Sequence, residues 1–257
     1  MRKREKKNLK RLFSLKTILI MVAILVFTGG ISVTFFNLPI ALGQEKKLPI
    51  YSVDTKDKKI AISFDAAWGN CHTRPLLDIL DKYEVKTTFF LVNFWAEKHS
   101  DDVKEIASRG HEIGNHSATH PDMTKLTPDE IKKELNTTGD TIEKLTGVKP
   151  TLFRPPFGAY NNTLIEVSEA SGYKVIQWSV DSLDWKDISA TEIVERVLGK
   201  VEPGSIVLFH NNANYLEEYL PLILEGLKEK GYQVVPIGEL IYKENYHIDN
   251  TGKQILN

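Results

Sequence analysis

One cysteine, Cys71, is all that this chain of 257 residues has. An intramolecular disulfide is therefore excluded, and the fold must rest on its apolar core, which a chain of this length can supply without staples. No Gly-rich phosphate loop and no Gly-x-Ser-x-Gly nucleophile elbow occurs, which argues against a nucleotide enzyme and a serine hydrolase. Internal repeats and low-complexity segments are absent as well. Positive charge is scarce over most of the chain. Residues 1–44 carry eight Lys or Arg against the single acid Glu5, which leaves 25 basic and 33 acidic side chains in the other 213 residues. Nucleic acid is a poor partner for so acidic a body, because neutralising phosphates takes clustered Lys and Arg. Hydrophobic residues at 42% and charged residues at 26% are ordinary for a globular protein and exclude a disordered or fibrous one.

The one long apolar run follows the basic block. Arg2, Lys3, Arg4, Lys6, Lys7, Lys10, Arg11 and Lys16 precede an uncharged stretch from Thr17 to Gly43 that is most apolar from Ile18 to Phe36. At about 1.5 Å per residue that run covers most of a hydrocarbon core of about 30 Å. It exceeds a signal-peptide core of about 7 to 15 residues, so an uncleaved anchor is expected, although Ala41-Leu42-Gly43 also suits cleavage and secretion. Basic residues stay cytoplasmic, which places the remainder outside the cell membrane. The expected organisation is a basic cytoplasmic segment at 1–17, a transmembrane signal anchor at 18–41, a linker at 42–57, one domain at 58–240 and a C-terminal tail at 241–257.

Within the domain, short apolar runs alternate with amphipathic stretches. Strands are expected at Lys59 to Phe64, Thr87 to Val92, His111 to Gly114, Thr151 to Arg154, Val175 to Trp178, Ser205 to Phe209 and Gln233 to Val235, with helices between them. Such alternation implies an α/β fold on a mostly parallel sheet. Whether the sheet closes is not readable from periodicity.

Five polar clusters fall just after these strands: Phe64-Asp65-Ala66-Ala67-Trp68-Gly69, His116-Ser117-Ala118-Thr119-His120, Arg154-Pro155-Pro156-Phe157-Gly158, Asp181-Ser182-Leu183-Asp184-Trp185 and Leu208-Phe209-His210. Strand C-terminal ends are where α/β proteins gather catalytic groups. His116 and His120, four apart on an expected helical turn, face one way and can share a metal ion. Asp65 ends its strand and can reach a reacting water. Two prolines stiffen the chain after Arg154 and fix its guanidinium, which beside Asp65 would keep that carboxylate ionised and aimed. Tyr160 is placed to offer a backbone N–H to an oxyanion or to edge a groove. His210 is the candidate general acid.

Together the five clusters resemble the polysaccharide deacetylases, the family 4 carbohydrate esterases with the NodB homology domain, over roughly residues 57 to 240. The Ala-Trp-Gly run looks closest to the spore-associated peptidoglycan deacetylases of Gram-positive bacteria. The resemblance implies a distorted (β/α) barrel of about seven units. It also implies removal of N-acetyl groups from cell-wall glycan by a monomer, with a divalent metal, zinc by family habit. Asp65 becomes the general base, Arg154 its partner, His210 the acid and Asp184 the carboxylate behind it. Trp185, Pro156, Leu208 and Tyr160 line the substrate groove. His116 and His120 are two of the three metal ligands. The family's third ligand is a second Asp, and here that position holds Ala66. A methyl group ligates nothing, so the site is expected to bind metal weakly, to recruit Cys71 or His72, or to hold no metal and leave a glycan-binding protein.

Overall fold

The computed structural model describes residues 45–186 and 188–257. The expected anchor at 18–41 lies outside them, and among the described residues no helix is long and apolar enough to cross a membrane.

Eleven strands and eight α-helices are found among the described residues. The principal sheet contains β2 (Lys59–Ala66), β3 (Thr88–Leu91), β4 (Glu112–Asn115), β5 (Leu152–Phe153), β6 (Lys174–Val175), β7 (Val180–Asp181), β8 (Ile206–His210) and β9 (Gln233–Val235). Their order is β6-β5-β4-β3-β2-β8-β7, with β9 also pairing with β2, and every pairing is parallel. The helices are α1 (Thr73–Lys82), α2 (Asn93–Lys98), α3 (Ser100–Ser108), α4 (Pro128–Thr146), α5 (Asn162–Ala170), α6 (Ala190–Leu198), α7 (Leu216–Glu229) and α8 (Ile237–Leu240). The seven expected strands are present within a few residues of their expected bounds, with helices between most of them. The capping box of Thr127 and Glu130 starts α4, where the sequence places Pro128 at the first turn.

The barrel does not close. Edge strands β6 and β7 are unpaired with each other, so the sheet is a curled half-barrel. Residues 50–53 stitch one end of the opening: the Ile50 N–H donates to Val175 O at 2.9 Å, and the Val53 N–H donates to Gly204 O at 2.9 Å. A Cβ on Gly204, whose φ is +82°, would meet Val53 O at 1.8 Å, so only glycine admits this crossing. β1 (Ser52–Val53) then joins β11 (Lys253–Leu256) and β10 (Tyr246–Ile248) in a second sheet. The stretch expected as linker and the stretch expected as tail are thus structured partly by each other.

β2 is the centre of the molecule. It pairs with three strands, and all its residues except Lys59 are buried, hence its nearly unbroken apolar run. Side chains alternate across it. Phe64 and Ala66 belong to the larger apolar cluster under the helices, where Phe64 stacks between Phe89 at 5.2 Å and Phe209 at 5.7 Å. Ser63 and Asp65 face the other way, toward the mouth of the half-barrel.

Candidate active site

At the C-terminal ends of the parallel strands lies a cavity of about 670 Å³. Asp65 from β2, His116 and His120 after β4, Asp184 after β7 and His210 from β8 all line it. The cluster that begins at Arg154 contributes Pro155, Phe157 and Gly158, so all five clusters line the cavity, while Arg154 itself lies buried behind Asp65.

Arg154 is fully buried. Its Nη1 donates to Asp65 Oδ1 at 2.7 Å and its Nη2 to Ser63 Oγ at 2.8 Å, while its guanidinium lies 4.2 Å from the centre of the Phe90 ring. Burial pushes the Asp65 carboxyl up, but the Arg154 charge, with His116 and His210, outweighs it and holds the group below the usual carboxylate range. Asp65 is ionised and aimed, and its Oδ2 is left toward His116.

The two histidines meet by a route other than the expected helical turn. Residues 116–122 form a loop in which Ser117 (φ 71°) and His120 (φ 57°) adopt left-handed backbone, a conformation costly for side chains other than glycine and kept only where the surroundings impose it. The surroundings do so through helix α4. Glu134 Oε2 accepts the backbone N–H groups of Ala118 and Thr119, both at 2.8 Å, and its Oε1 accepts the Thr119 hydroxyl at 2.9 Å. Asn115 ties the same loop to the Leu135 carbonyl. Glu134 was not legible as a site residue, because its function depends on a loop 15 residues upstream. As a result the His116 and His120 ring centres are 4.9 Å apart.

His116 Nδ1–H donates to the Arg154 carbonyl at 2.7 Å, which leaves Nε2 as a lone pair facing Asp65 Oδ2 at 3.4 Å. Burial drives His116 below its ordinary pKa, and burial together with the His116 charge takes His120 down to about 4. Both rings are neutral near pH 7, the form that ligates metal. His120 Nδ1 is buried with no hydrogen-bond partner, so a group belongs there. Yet among the described residues no three His, Cys, Asp or Glu side chains converge on one point. The donors fit a divalent cation in two positions only, since the methyl of Ala66 turns into the apolar core. Neither Cys71 nor His72 repairs this. Cys71 is exposed with Sγ 3.0 Å from Asn212 Oδ1, and His72 Nδ1 faces Glu217 at 3.2 Å, because the turn entering α1 points both away from the cavity.

On the opposite wall, His210 Nδ1–H donates to Asp184 Oδ1 at 2.8 Å, and the His210 backbone N–H donates to Oδ2 of the same carboxylate at 2.8 Å. Tyr219, on α7, donates its hydroxyl to Oδ2 at 3.0 Å and stacks on Phe209. It is a second site residue that sequence reasoning missed, since it sits in an apolar helix stripe that reads as core. Burial lowers the His210 pKa, but the hydrogen bond and charge of Asp184, with Asp65 and Asp181, raise it above the ordinary histidine value. The pair suits a proton donor at neutral pH.

Trp185 and Leu208 line the cavity as expected. Pro156 is buried behind Pro155, which takes the lining position, and the Tyr160 side chain turns from the cavity to place its hydroxyl 3.2 Å from that of Tyr51. Two aromatic residues instead flank His120: Phe157 at 4.6 Å and Trp68 at 5.0 Å between ring centres, both largely exposed at the rim. The signal for Phe157 was its place between prolines and Gly158, which lets it adopt φ 59°.

Residues 52–176 match the family described as polysaccharide deacetylase. The chain is 35% identical to the peptidoglycan-N-acetylglucosamine deacetylase of Bacillus cereus over 75% of this chain and 72% of that one. It belongs to the polysaccharide deacetylase family. Another relative is the uncharacterized protein YlxY of Bacillus subtilis, at 37% identity over 75% of this chain and 60% of YlxY. Among solved structures it resembles BA3943 of Bacillus anthracis, described as a family 4 pseudoenzyme, at 34% identity with a TM-score of 0.73, over 81% of this chain and 73% of that one. A mutant of BA3943 with restored enzymatic activity matches at 38% identity and the same TM-score, over 75% and 70% of the two chains. The similar proteins thus include one named as a deacetylase and one described as a pseudoenzyme.

Proposed function

We propose that the chain hydrolyses N-acetyl groups of cell-wall glycan, peptidoglycan in the first instance, from a position outside the membrane to which residues 18–41 anchor it. The observation that carries the reading is the pair of proton-transfer groups facing one cavity, Asp65 held by Arg154 and His210 held by Asp184. A binding module has no use for either pairing. Asp65 takes a proton from water as the water oxygen adds to the acetyl carbon. His210 then gives a proton to the sugar nitrogen as the C–N bond breaks, which releases acetate and an amino sugar. His116 and His120 would hold a divalent cation, zinc by the chemistry of neutral imidazoles, which would supply polarisation of the acetyl carbonyl. The exposed faces of Trp185, Trp68 and Phe157 suit the sugar rings of a glycan, and one chain contributes every site group, as a monomer requires.

Acetate release from purified peptidoglycan with added zinc tests the reading. Asp65→Asn and His210→Ala should each reduce turnover by about 10² or more while changing glycan affinity far less, because both act as charge develops in the transition state. A second reading has its own support in Ala66 and in the likeness to a pseudoenzyme: a glycan-binding member without turnover. A parent that binds glycan and releases no acetate at saturating zinc decides for it. Protease added to intact cells should remove the domain, and protection until lysis would overturn the orientation.

A further inference from the structure

One buried residue of α7 carries a polar atom that packing alone does not require. The buried stripe of this helix consists of Leu216, Tyr219, Leu220, Ile223, Leu224 and Leu227, and Tyr219 is the member with a hydroxyl. Its side chain is fully buried and its ring stacks on Phe209, with centres 5.7 Å apart and planes 13° from parallel. Phenylalanine would fill the same stack without taking a hydroxyl out of water, a transfer that costs free energy unless a hydrogen bond compensates it. The hydroxyl has its partner far back in the chain: it donates to Asp184 Oδ2 at 3.0 Å. Burial, together with the Asp184 charge, raises its pKa well above the ordinary tyrosine value, so it is a neutral donor at any working pH.

Asp184 needs such an anchor. It stands on a single turn, Asp184–Lys186, entered through Leu183 in left-handed backbone at φ 59°. Its side chain is buried, and its carboxylate accepts three hydrogen bonds. Two of them, from the Nδ1–H and the backbone N–H of His210, come from the residue that Asp184 holds. The third comes from Tyr219, and among the described residues it is the bond that ties the pair to a helix of 14 residues rooted in the apolar core. The terminal torsion of an aspartate is broad and roughly two-fold, so the carboxylate has little orientation of its own. Two donors on Oδ2 leave Oδ1 for the imidazole. We propose that Tyr219 is a positioning residue, which through Asp184 holds the His210 ring with Nδ1–H inward and Nε2 toward the cavity. The use of this positioning in turnover rests on the hydrolysis proposed above, while the positioning itself is a property of the resting chain.

The test is Tyr219→Phe in the full-length chain, solubilised in detergent and isotope-labelled at the histidine nitrogens for magnetic resonance. The His210 signals are identified by their loss in His210→Ala. In Tyr219→Phe the His210 Nδ1 proton should exchange with water about tenfold faster or more than in the parent, as loss of a charge-assisted hydrogen bond behind it allows. With peptidoglycan and zinc, kcat should fall about tenfold while KM changes by less than about twofold, because the substitution leaves the rim that meets the glycan in place. Asp184→Asn should speed the same exchange, and adding Tyr219→Phe to it should do little more, since the tyrosine acts through that carboxylate. Leu220→Ala, in the same buried stripe, separates positioning from stability: it should lower the urea midpoint at least as much as Tyr219→Phe and leave the His210 exchange unchanged. Parent-like exchange in Tyr219→Phe overturns the proposal. So do an equal disturbance by Leu220→Ala, which would be a general loosening of α7, and full additivity with Asp184→Asn. A parent that releases no acetate removes the hydrolysis reading, and the His210 exchange still decides the role of Tyr219.

Discussion

Replacing Arg154 by methionine exposes what holds the catalytic carboxylate. The guanidinium is fully buried and has three acceptors, Asp65 Oδ1, Ser63 Oγ and the Gln177 carbonyl, between the rings of Phe90 and Trp178. Methionine keeps much of the apolar length and removes the charge. Breaking a buried pair by deleting one partner costs about 3–5 kcal/mol, chiefly through the charge left behind, a large share of the roughly 5–15 kcal/mol that a domain of this kind has. The pH dependence identifies the cause. In the parent the Asp65 pKa is lowered, so its contribution to stability is present above the unfolded value of about 3.9 and disappears as pH falls through the folded value. Without Arg154 burial prevails, the folded pKa rises above about 3.9, and the native state resists ionisation. The deficit of Arg154→Met relative to the parent should already be present near about pH 4, where the parent keeps the contribution of its ionised Asp65, and should grow toward about pH 7 as the variant is forced to bury an uncompensated charge or keep the group protonated. Urea denaturation followed by circular dichroism at both pH values measures it, and adding Asp65→Asn should recover part of the loss at neutral pH. A deficit below about 1 kcal/mol, or one equal at both pH values, refutes the assignment of Arg154 as counter-ion to a buried carboxylate.

Three further outcomes are expected. Ala66→Asp places a carboxylate at a fully buried apolar position, so it should lower the melting temperature of the metal-free chain, and zinc should raise that temperature by more than it does in the parent; an equal zinc response would show that position 66 cannot reach the ion. Asp184→Asn removes the group that raises the His210 pKa, so the alkaline limb of the pH–activity profile should move to lower pH, and an unmoved limb would mean that His210 is not the titrating acid. Glu134→Ala should weaken zinc uptake and Glu134→Gln largely preserve it, because the amide oxygen can still accept the Ala118 and Thr119 N–H groups; titration of the two variants that gives the same affinity would remove Glu134 from the site.

What the sequence revealed and what it concealed divide along a physical line. Asp65, His116, His120, Asp184 and His210 were legible because each ends or follows a strand of a parallel sheet, and that sheet delivers all such ends to one edge. Glu134 and Tyr219 were not, since a helix residue becomes a site residue only through the packing that brings its tip to a loop or strand far away in the chain. Closure of the barrel was equally hidden. It depends on whether two-residue strands, β6 and β7, find each other, and a residue pattern two positions long has no period to read. The same limit applies to Pro156 and Tyr160. Proximity to Arg154 in sequence suggested a place in the groove, but Pro155, Phe157 and Gly158 turn the chain so that Phe157 faces the cavity and Tyr160 faces Tyr51.

Ala66 shows why position in a motif and position in space must be argued separately. As a sequence letter it removes a metal ligand. As a side chain on β2 it lies on the opposite face from Asp65, among Phe64, Leu91 and Trp95, where a methyl group packs without cost. A carboxylate there would have to draw the strand end toward the cavity, with the ion supplying the energy for the distortion. The substitution therefore acts in two ways: it lets the strand end pack into an apolar core, and it leaves His116 and His120 as the two side chains that a cation would find there.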